Sequence, residues 1–365
     1  MGRSRSARPV SHPSELRVPP LWCGGVKVYA SMDPRLPLSE VAAHARRIES
    51  LGYDGLHVAE TIHDSLAVSM LALEHTTTLT VRTAVTIAFA RSPTLVATSA
   101  WGLSKISGGR FELGLGTQIR QNIEQRFGMP WSEPAERLGD YIGALAALFE
   151  SFATGEPPAH HGPHYSVTRL QPYFNPGPDP AVAAPRIWIG GVNEQICQLA
   201  GRVADGFITH PTNSTPRYLA EVCRPNLAIG ATTSGRALAD LELVAGTTVI
   251  TGATDEAMAP EIERQRSLFG LLFSTPAYRR TLELSGWEAL GDELRSLIAA
   301  DRWEDLGKVI TDEILDAVVP MATLDELPGV LLDRFGGLAD GVLLNVTADQ
   351  DETALAAAIA VIQQA

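Results

Sequence analysis

The sequence predicts an α/β barrel of eight strand–helix units, a TIM (β/α)8 fold. Three observations lead there. Short segments rich in Val, Ile and Thr alternate with segments of helical period, joined by short connections through the first four units. That order requires parallel strands with helices packed outside them. The length of 365 residues is one such a barrel routinely fills as a single domain. Finally, SGGRFELGLGTQIRQN, running from Ser107 to Asn122, places hydrogen-bonding residues just past a strand's C-terminal end, where this fold carries its chemistry.

In chain order, Val26 to Ala30 reads as the first strand. Ser39 is expected to cap a helix carrying Val41, Ala45 and Ile48 at helical spacing, with Gly52 ending it. The second strand is Asp54 to Ala59, followed by the polar loop ETIHD and a helix over Leu66 to Thr76. Leu79 to Ile87 forms the third strand, and Ser92 with Pro93 opens the third helix in the cap-then-proline order. Gly108 and Gly109 stop that helix.

A helix over Pro134 to Phe152 then leads into a Pro- and Gly-rich run longer than a plain connection needs. Ile187 to Ile189, Gly206 to Thr209, Leu243 to Ile250 and Gly341 to Val346 supply the remaining strands. Asp255 to Phe335 reads as a helical insertion. The barrel is thus elaborated after strands four and seven, with residues 25–365 as one domain and residues 1–24 as a flexible extension.

That extension is rich in Ser, Pro and Arg and lacks the apolar core of a secretory signal. The formal charge of -13 argues against nucleic-acid or anionic-membrane binding. No apolar run is long enough to span a bilayer, so a cytoplasmic protein is expected. Cys23, Cys197 and Cys223 are odd in number and widely spaced, forming neither a disulfide framework nor a zinc pattern. His160, His161 and His164 match no ligand spacing and are expected in a solvated or lid loop, so no metal is expected.

Strand four alternates Phe111, Leu113 and Leu115 with Glu112, Gly114 and Gly116. Two glycines facing inward commonly mark a place where something comes close to the backbone, and a flat, ring-shaped cofactor is expected there; the alternative is that they only relieve crowding inside the barrel. Glu112, facing the interior, needs a partner, and Arg82 on the neighbouring strand supplies one as a buried structural pair.

SGGRFELGLGTQ, the preceding RTAVTIAFARSP and the following PRIWIGGVNEQICQLAGRVADGFITH together resemble the luciferase-like monooxygenase superfamily. Within it, the likeness is greatest to actinobacterial oxidoreductases that use the deazaflavin coenzyme F420. The resemblance runs from about Gly25 to the C-terminus with the motifs in order. It implies a luciferase-like barrel holding a deazaflavin or flavin at the strand ends, a non-proline cis peptide near Thr83, Ala84 and Val85, and commonly a homodimer. It also implies cofactor phosphate at Gly190, Gly191 and Val192, whose Gly-rich turn before a helix makes an anion site.

Around the ring, Thr61, Thr83, Ala84, Thr86, Thr117, Gln118 and Asn122 are the cofactor-binding candidates; their amide and hydroxyl groups suit the mixed donor and acceptor edge of a pyrimidine dione. Related deazaflavin dehydrogenases carry a histidine after strand two and a glutamate after strand four. Thr61 and Ile119 stand there in this sequence, which counts against a sugar-phosphate dehydrogenase. Glu60, His63 and His210 are the catalytic candidates, His63 and His210 because a histidine near neutrality serves as acid or base. Trp131, Tyr165, Tyr173, Phe174, Trp287 and Leu268 to Phe273 are expected to line or cover the cavity. Arg91, Arg120, Arg126 and Arg169 could meet the coenzyme's oligoglutamate tail.

The leading expectation is F420-dependent hydride transfer to or from a small, largely apolar substrate. The runner-up is a two-component monooxygenase using reduced FMN. A barrel that only binds a ligand is the third possibility, since fold alone does not settle function.

Overall fold

Eight parallel strands close on themselves in chain order. They are β1 (Lys27–Ser31), β2 (Gly55–Val58), β3 (Thr80–Thr83, resumed at Thr86–Ile87), β4 (Phe111–Gly116), β5 (Ile187–Gly191), β6 (Gly206–Thr209), β7 (Glu242–Ala245) and β8 (Gly341–Leu343). Each pairs with the next, and β8 pairs back onto β1 through Lys27↔Gly341 and Val28↔Val342. The computed structural model describes residues 25–180, 183–345 and 350–365. The extension expected over residues 1–24, Cys23 and the expected strand end at Val346 lie outside the described residues.

Period-two alternation sorts the strand residues between two cores. Phe111, Leu113 and Leu115 face outward into the large apolar layer shared with the helices. Inward-facing Tyr29, Trp188, Ile208 and Val244 pack together inside the barrel. The buried Arg82 lies among them, its guanidinium 3.3 Å from the Trp188 ring centre and its Nε donating to Glu112 Oε2 at 2.7 Å. The pairing expected from strand parity is therefore present.

Helix signals mostly act where the sequence puts them. Ser92 Oγ caps the Pro93–Ser107 helix by accepting from the Leu95 N–H, and Gly108 ends it at φ 63°. Ser39 does not cap: it lies inside a short turn, Leu38–Glu40, that runs straight into the helix Val41–Ser50.

The excursion after β7 has different bounds from those expected. A two-stranded parallel clasp, Ile250–Gly252 against Met321–Thr323, closes it at its base. Between those strands the helices enclose their own core around Phe269, Phe273, Leu294 and Leu315. Leu327–Phe335, expected as part of the insertion, instead packs Leu327, Leu331 and Phe335 into the barrel's main core. After β4, the 160–167 segment forms a small antiparallel ribbon, held by His160 Nε2 and the His164 and Tyr165 N–H groups bonding Asp140 at 2.7 Å each. No helix among the described residues is long and apolar enough to cross a membrane.

Candidate active site

The third strand shapes the site. β3 and β4 pair as Arg82↔Glu112 below and Thr86↔Leu115 above, so β3 carries one more residue than its neighbour across the gap. A bulge of this kind interrupts the ladder and re-aims side chains. The Ala84–Val85 peptide within it is cis, at the position the family resemblance implies. The Thr83 hydroxyl stands in for the lost ladder bonds, donating to the Gly114 carbonyl at 2.8 Å and accepting the Gly114 N–H at 2.9 Å.

That bulge accounts for the glycines of β4. A Cβ on Gly114 would overlap the Thr83 carbonyl oxygen, and a Cβ on Gly116 would overlap the Val85 side chain. Crowding relief is thus what both glycines provide, and the space beside them is filled by β3. Thr83 and Thr86, expected to meet a cofactor, are instead fully buried, with Thr86 Oγ1 bonded to Ser65 Oγ at 2.8 Å. Glu60 is likewise structural: its Oε2 accepts the Ile87 N–H at 2.7 Å, its Oε1 pairs with Arg91, and its own N–H donates to the Val85 carbonyl at 3.2 Å. It braces the bulge through Val85 and Ile87.

Above the bulge lies a cavity of about 220 Å3 at the C-terminal ends of the middle strands. Ala84, Val85 and Ile87 form one wall and Gly116 to Ile119 the next; β5 contributes Gly190 and Gly191, with Val192 just beyond it. β6 contributes Ile208 and Thr209, followed by His210, and the insertion roofs the space with Ala277 and Tyr278. None of these residues is Asp, Glu, Lys or Arg. Gln118 sits at φ 59°, a left-handed backbone uncommon for a residue with a side chain and often found at functional sites.

Of the expected site residues, Ala84, Thr117, Gln118, Gly190, Gly191, Val192 and His210 come together here. Thr61 and His63 line a separate, narrow crevice with Met32, Asp33 and Pro34. Asn122 opens a turn, Asn122–Arg126, away from the lining. Arg91 is committed to Glu60 and Asp64, Arg120 bonds Glu124, and Arg126 donates to the Thr61 carbonyl.

The expected aromatic cover does not form. Trp131 packs edge-on to Phe89, Tyr165 bonds Arg137, and Tyr173 and Phe174 are exposed. Trp287, Phe269 and Phe273 belong to the insertion's core. Tyr278, which does cover the cavity, was missed because no periodicity links it to the strand ends. Ile208 and Thr209 were legible as the last residues of a barrel strand.

His210 is stacked on Tyr278, ring centres 4.8 Å apart and planes 7° from parallel. Burial alone pushes its pKa down to about 4, so the imidazole is neutral at neutral pH. Relative to an unfolded value near 6.5, stability is fully present above about pH 6.5 and falls by about 3 kcal/mol as pH drops to about 4, because over that range only the unfolded chain takes up the proton. Urea unfolding of wild type and His210→Gln across that range should show the wild type losing stability more steeply. Parallel curves would contradict a buried neutral imidazole.

On the opposite side, the Gly190 and Gly191 expected in a turn are the last residues of β5, paired with Ile208 and Thr209, and only Val192 and Asn193 connect them to the helix Glu194–Val203. Asn193 Oδ1 caps it by accepting the Ile196 N–H at 2.9 Å. The N–H groups of Val192, Glu194 and Gln195 have no acceptor among the described residues. They point to a ready anion site at a helix N-terminus. Glu194, the one acidic side chain there, lies 3.9 Å from Arg280 of the insertion.

A closed parallel barrel with a cavity over its C-terminal rim is the architecture of a barrel enzyme. The chain belongs to the luciferase-like monooxygenase family, whose model matches residues 21–341. An uncharacterised protein of Mycobacterium tuberculosis is 39% identical over 314 residues, 86% of this chain and 92% of its own. A putative coenzyme F420-dependent oxidoreductase of the same organism is 28% identical over 297 residues, covering 76% of this chain and 82% of its own. Among solved structures, the coenzyme F420 dependent tetrahydromethanopterin reductase from Methanopyrus kandleri superposes with a TM-score of 0.76 at 16% identity, over 93% of this chain and 98% of that one.

Proposed function

We propose that this protein is an oxidoreductase that uses coenzyme F420 to move a hydride to or from an uncharged, largely apolar small molecule. The observation that carries this reading is the cavity itself: it lies over the Ala84–Val85 bulge, beside unclaimed helix N–H groups, and is lined without a charged side chain. The donor set suits the group. Val192 and the first turn of the following helix would hold its phosphate, Thr117 and Gln118 would meet the polar edge of its ring system, and Ala84 and Val85 would back the ring. When bound, the deazaflavin supplies the hydride chemistry, which asks little acid/base work of the protein.

The chain's own part is to orient and to exclude water. Tyr278 and Ala277 roof the cavity, and His210 offers a neutral imidazole beside it. A charged substrate would be left without a counter-ion in this lining, at a cost of several kcal/mol. Sugar phosphates and carboxylates are therefore disfavoured. The F420-named relative supports the deazaflavin over FMN.

Titration of the purified protein with the deazaflavin and, separately, with FMN tests the assignment. Saturable quenching of the deazaflavin fluorescence is the expected result. Tight binding of FMN with no response to the deazaflavin would move the protein to the oxygen-using branch of its family. No response to either would leave a barrel that binds some other ligand.

A further inference from the structure

We propose that Thr212 and Asn213 are positioning residues that fix the His210 tautomer, placing the proton on Nδ1 and leaving Nε2 as a bare hydrogen-bond acceptor for a ligand O–H or N–H group. The chain's own polar groups set the tautomer; its bearing on substrate rests on the functional reading above.

One group in this cluster cannot change its role. The Val192 backbone carbonyl is only an acceptor, and it takes the Tyr218 hydroxyl proton at 2.9 Å and an N–H from Asn213 Nδ2 at 3.3 Å. Reversing the Asn213 amide would set two oxygens against each other, so its Oδ1 must face the other way, toward Thr212. Oδ1 is likewise only an acceptor. The Thr212 hydroxyl therefore spends its single proton on Asn213, at 2.8 Å.

Only lone pairs remain on Thr212 Oγ1, and His210 Nδ1 lies 2.9 Å from it. A bare Nδ1 there would oppose lone pair to lone pair, so Nδ1 carries the proton. A competing contact exists: the Thr212 backbone N–H reaches Nδ1 at 3.4 Å, and would need that nitrogen bare. It is the longer of the two. Thr212 and Asn213 are both fully buried, so water does not scramble the chain of donors. In a low-dielectric interior such a chain polarises along its length, and the second nitrogen of the ring takes its role from the first.

The consequence is a polarity for the site. His210 lines the cavity with its ring held flat against Tyr278. Its bare nitrogen meets a ligand donor favourably, an alcohol O–H for example, and meets a lone carbonyl oxygen unfavourably. Asn213 also ties this imidazole to the end of β5, because its amide bonds the Val192 carbonyl on one side and the Thr212 hydroxyl, which holds the ring, on the other.

The test reads the tautomer directly in cofactor-free protein. Nitrogen-15 spectra of histidine-labelled protein at neutral pH, with the His210 signals identified by their loss in His210→Gln, should show a protonated Nδ1 and an unprotonated Nε2. In Thr212→Val the remaining partner is the backbone N–H of residue 212, so the proton should move to Nε2. Thr212→Ser should restore the wild-type pattern, and Thr212→Ala asks the same question with less volume should the valine variant fail to fold.

Wild-type protein with Nε2 protonated, or doubly protonated at neutral pH, would overturn the proposal. An Nδ1–H signature that persists without the Thr212 hydroxyl would remove Thr212 and Asn213 from the role. Since no cofactor is present, failure of the deazaflavin titration would defeat the functional reading and leave this one standing.

Discussion

Gly114→Ala is expected to lower stability by about 3 kcal/mol or more, at or beyond the upper end of ordinary overpacking. The added methyl has no free direction. It would overlap the Thr83 carbonyl oxygen, which is backbone and cannot swing aside as a side chain could. Moving Thr83 would also break the two bonds its hydroxyl makes with the Gly114 amide and carbonyl. The bulge that presents Ala84 and Val85 to the cavity would shift with it, so cofactor binding should fall together with stability. Gly108→Ala is the control: φ there is 63°, nothing lies within 4 Å of the added carbon, and the cost should be only about 1 kcal/mol. Urea unfolding of the two variants gives the comparison. Equal, small losses would mean that β3 does not press on β4 as described.

Glu112→Ala should be comparably damaging, for an electrostatic reason. Arg82 is 1% exposed, and its charge is compensated by Glu112, with His57 Nε2 at 2.9 Å and the Tyr29 hydroxyl at 3.4 Å as neutral partners. Removing the carboxylate leaves a guanidinium inside the barrel with only a histidine, a phenol and the Trp188 face around it. Breaking a buried pair in this way costs about 3–5 kcal/mol. Replacing both members, as Arg82→Met with Glu112→Leu, should recover much of that loss, because the desolvation of two charges disappears along with their attraction. Chemical denaturation of the two single variants and the double variant closes the cycle. A double variant as unstable as the sum of the singles would show that the pair does not act as a unit.

Both effects involve a residue whose side was legible from alternation and whose partner was legible in only one case. Glu112 faces inward by parity with Gly114, and Arg82 faces it because the strands adjoin in chain order and share a register. The opposite neighbour of Gly114 was not legible, since it depends on one extra residue in β3 that slides the register across the gap. Glu60 misled for a related reason. A carboxylate just past a strand end is well placed for chemistry, and nothing in the local pattern shows that its oxygens turn to the Ile87 amide and to Arg91.

His210 and Tyr278 show the same division at longer range. The histidine could be read as a strand-end residue facing the rim. Its environment could not, because the insertion brings Tyr278 over it from a separate core, and Thr212 and Asn213 gain their importance only once Val192 lies beside them. The aromatic residues expected to cover the site are consumed by packing elsewhere, as large apolar groups usually are.

By itself the sequence determined the parallel barrel, the two places where it is elaborated, the faces of β4 and the helix that follows β5. Each follows from periods and breakers that act over a few residues. Only the tertiary structure decided that β3 fills the space left by the β4 glycines, that the cavity sits above that bulge, and that a distant tyrosine roofs it. Those outcomes depend on which atoms of sequence-remote segments meet, and a pattern that reports only the side a residue faces carries no information about what stands opposite.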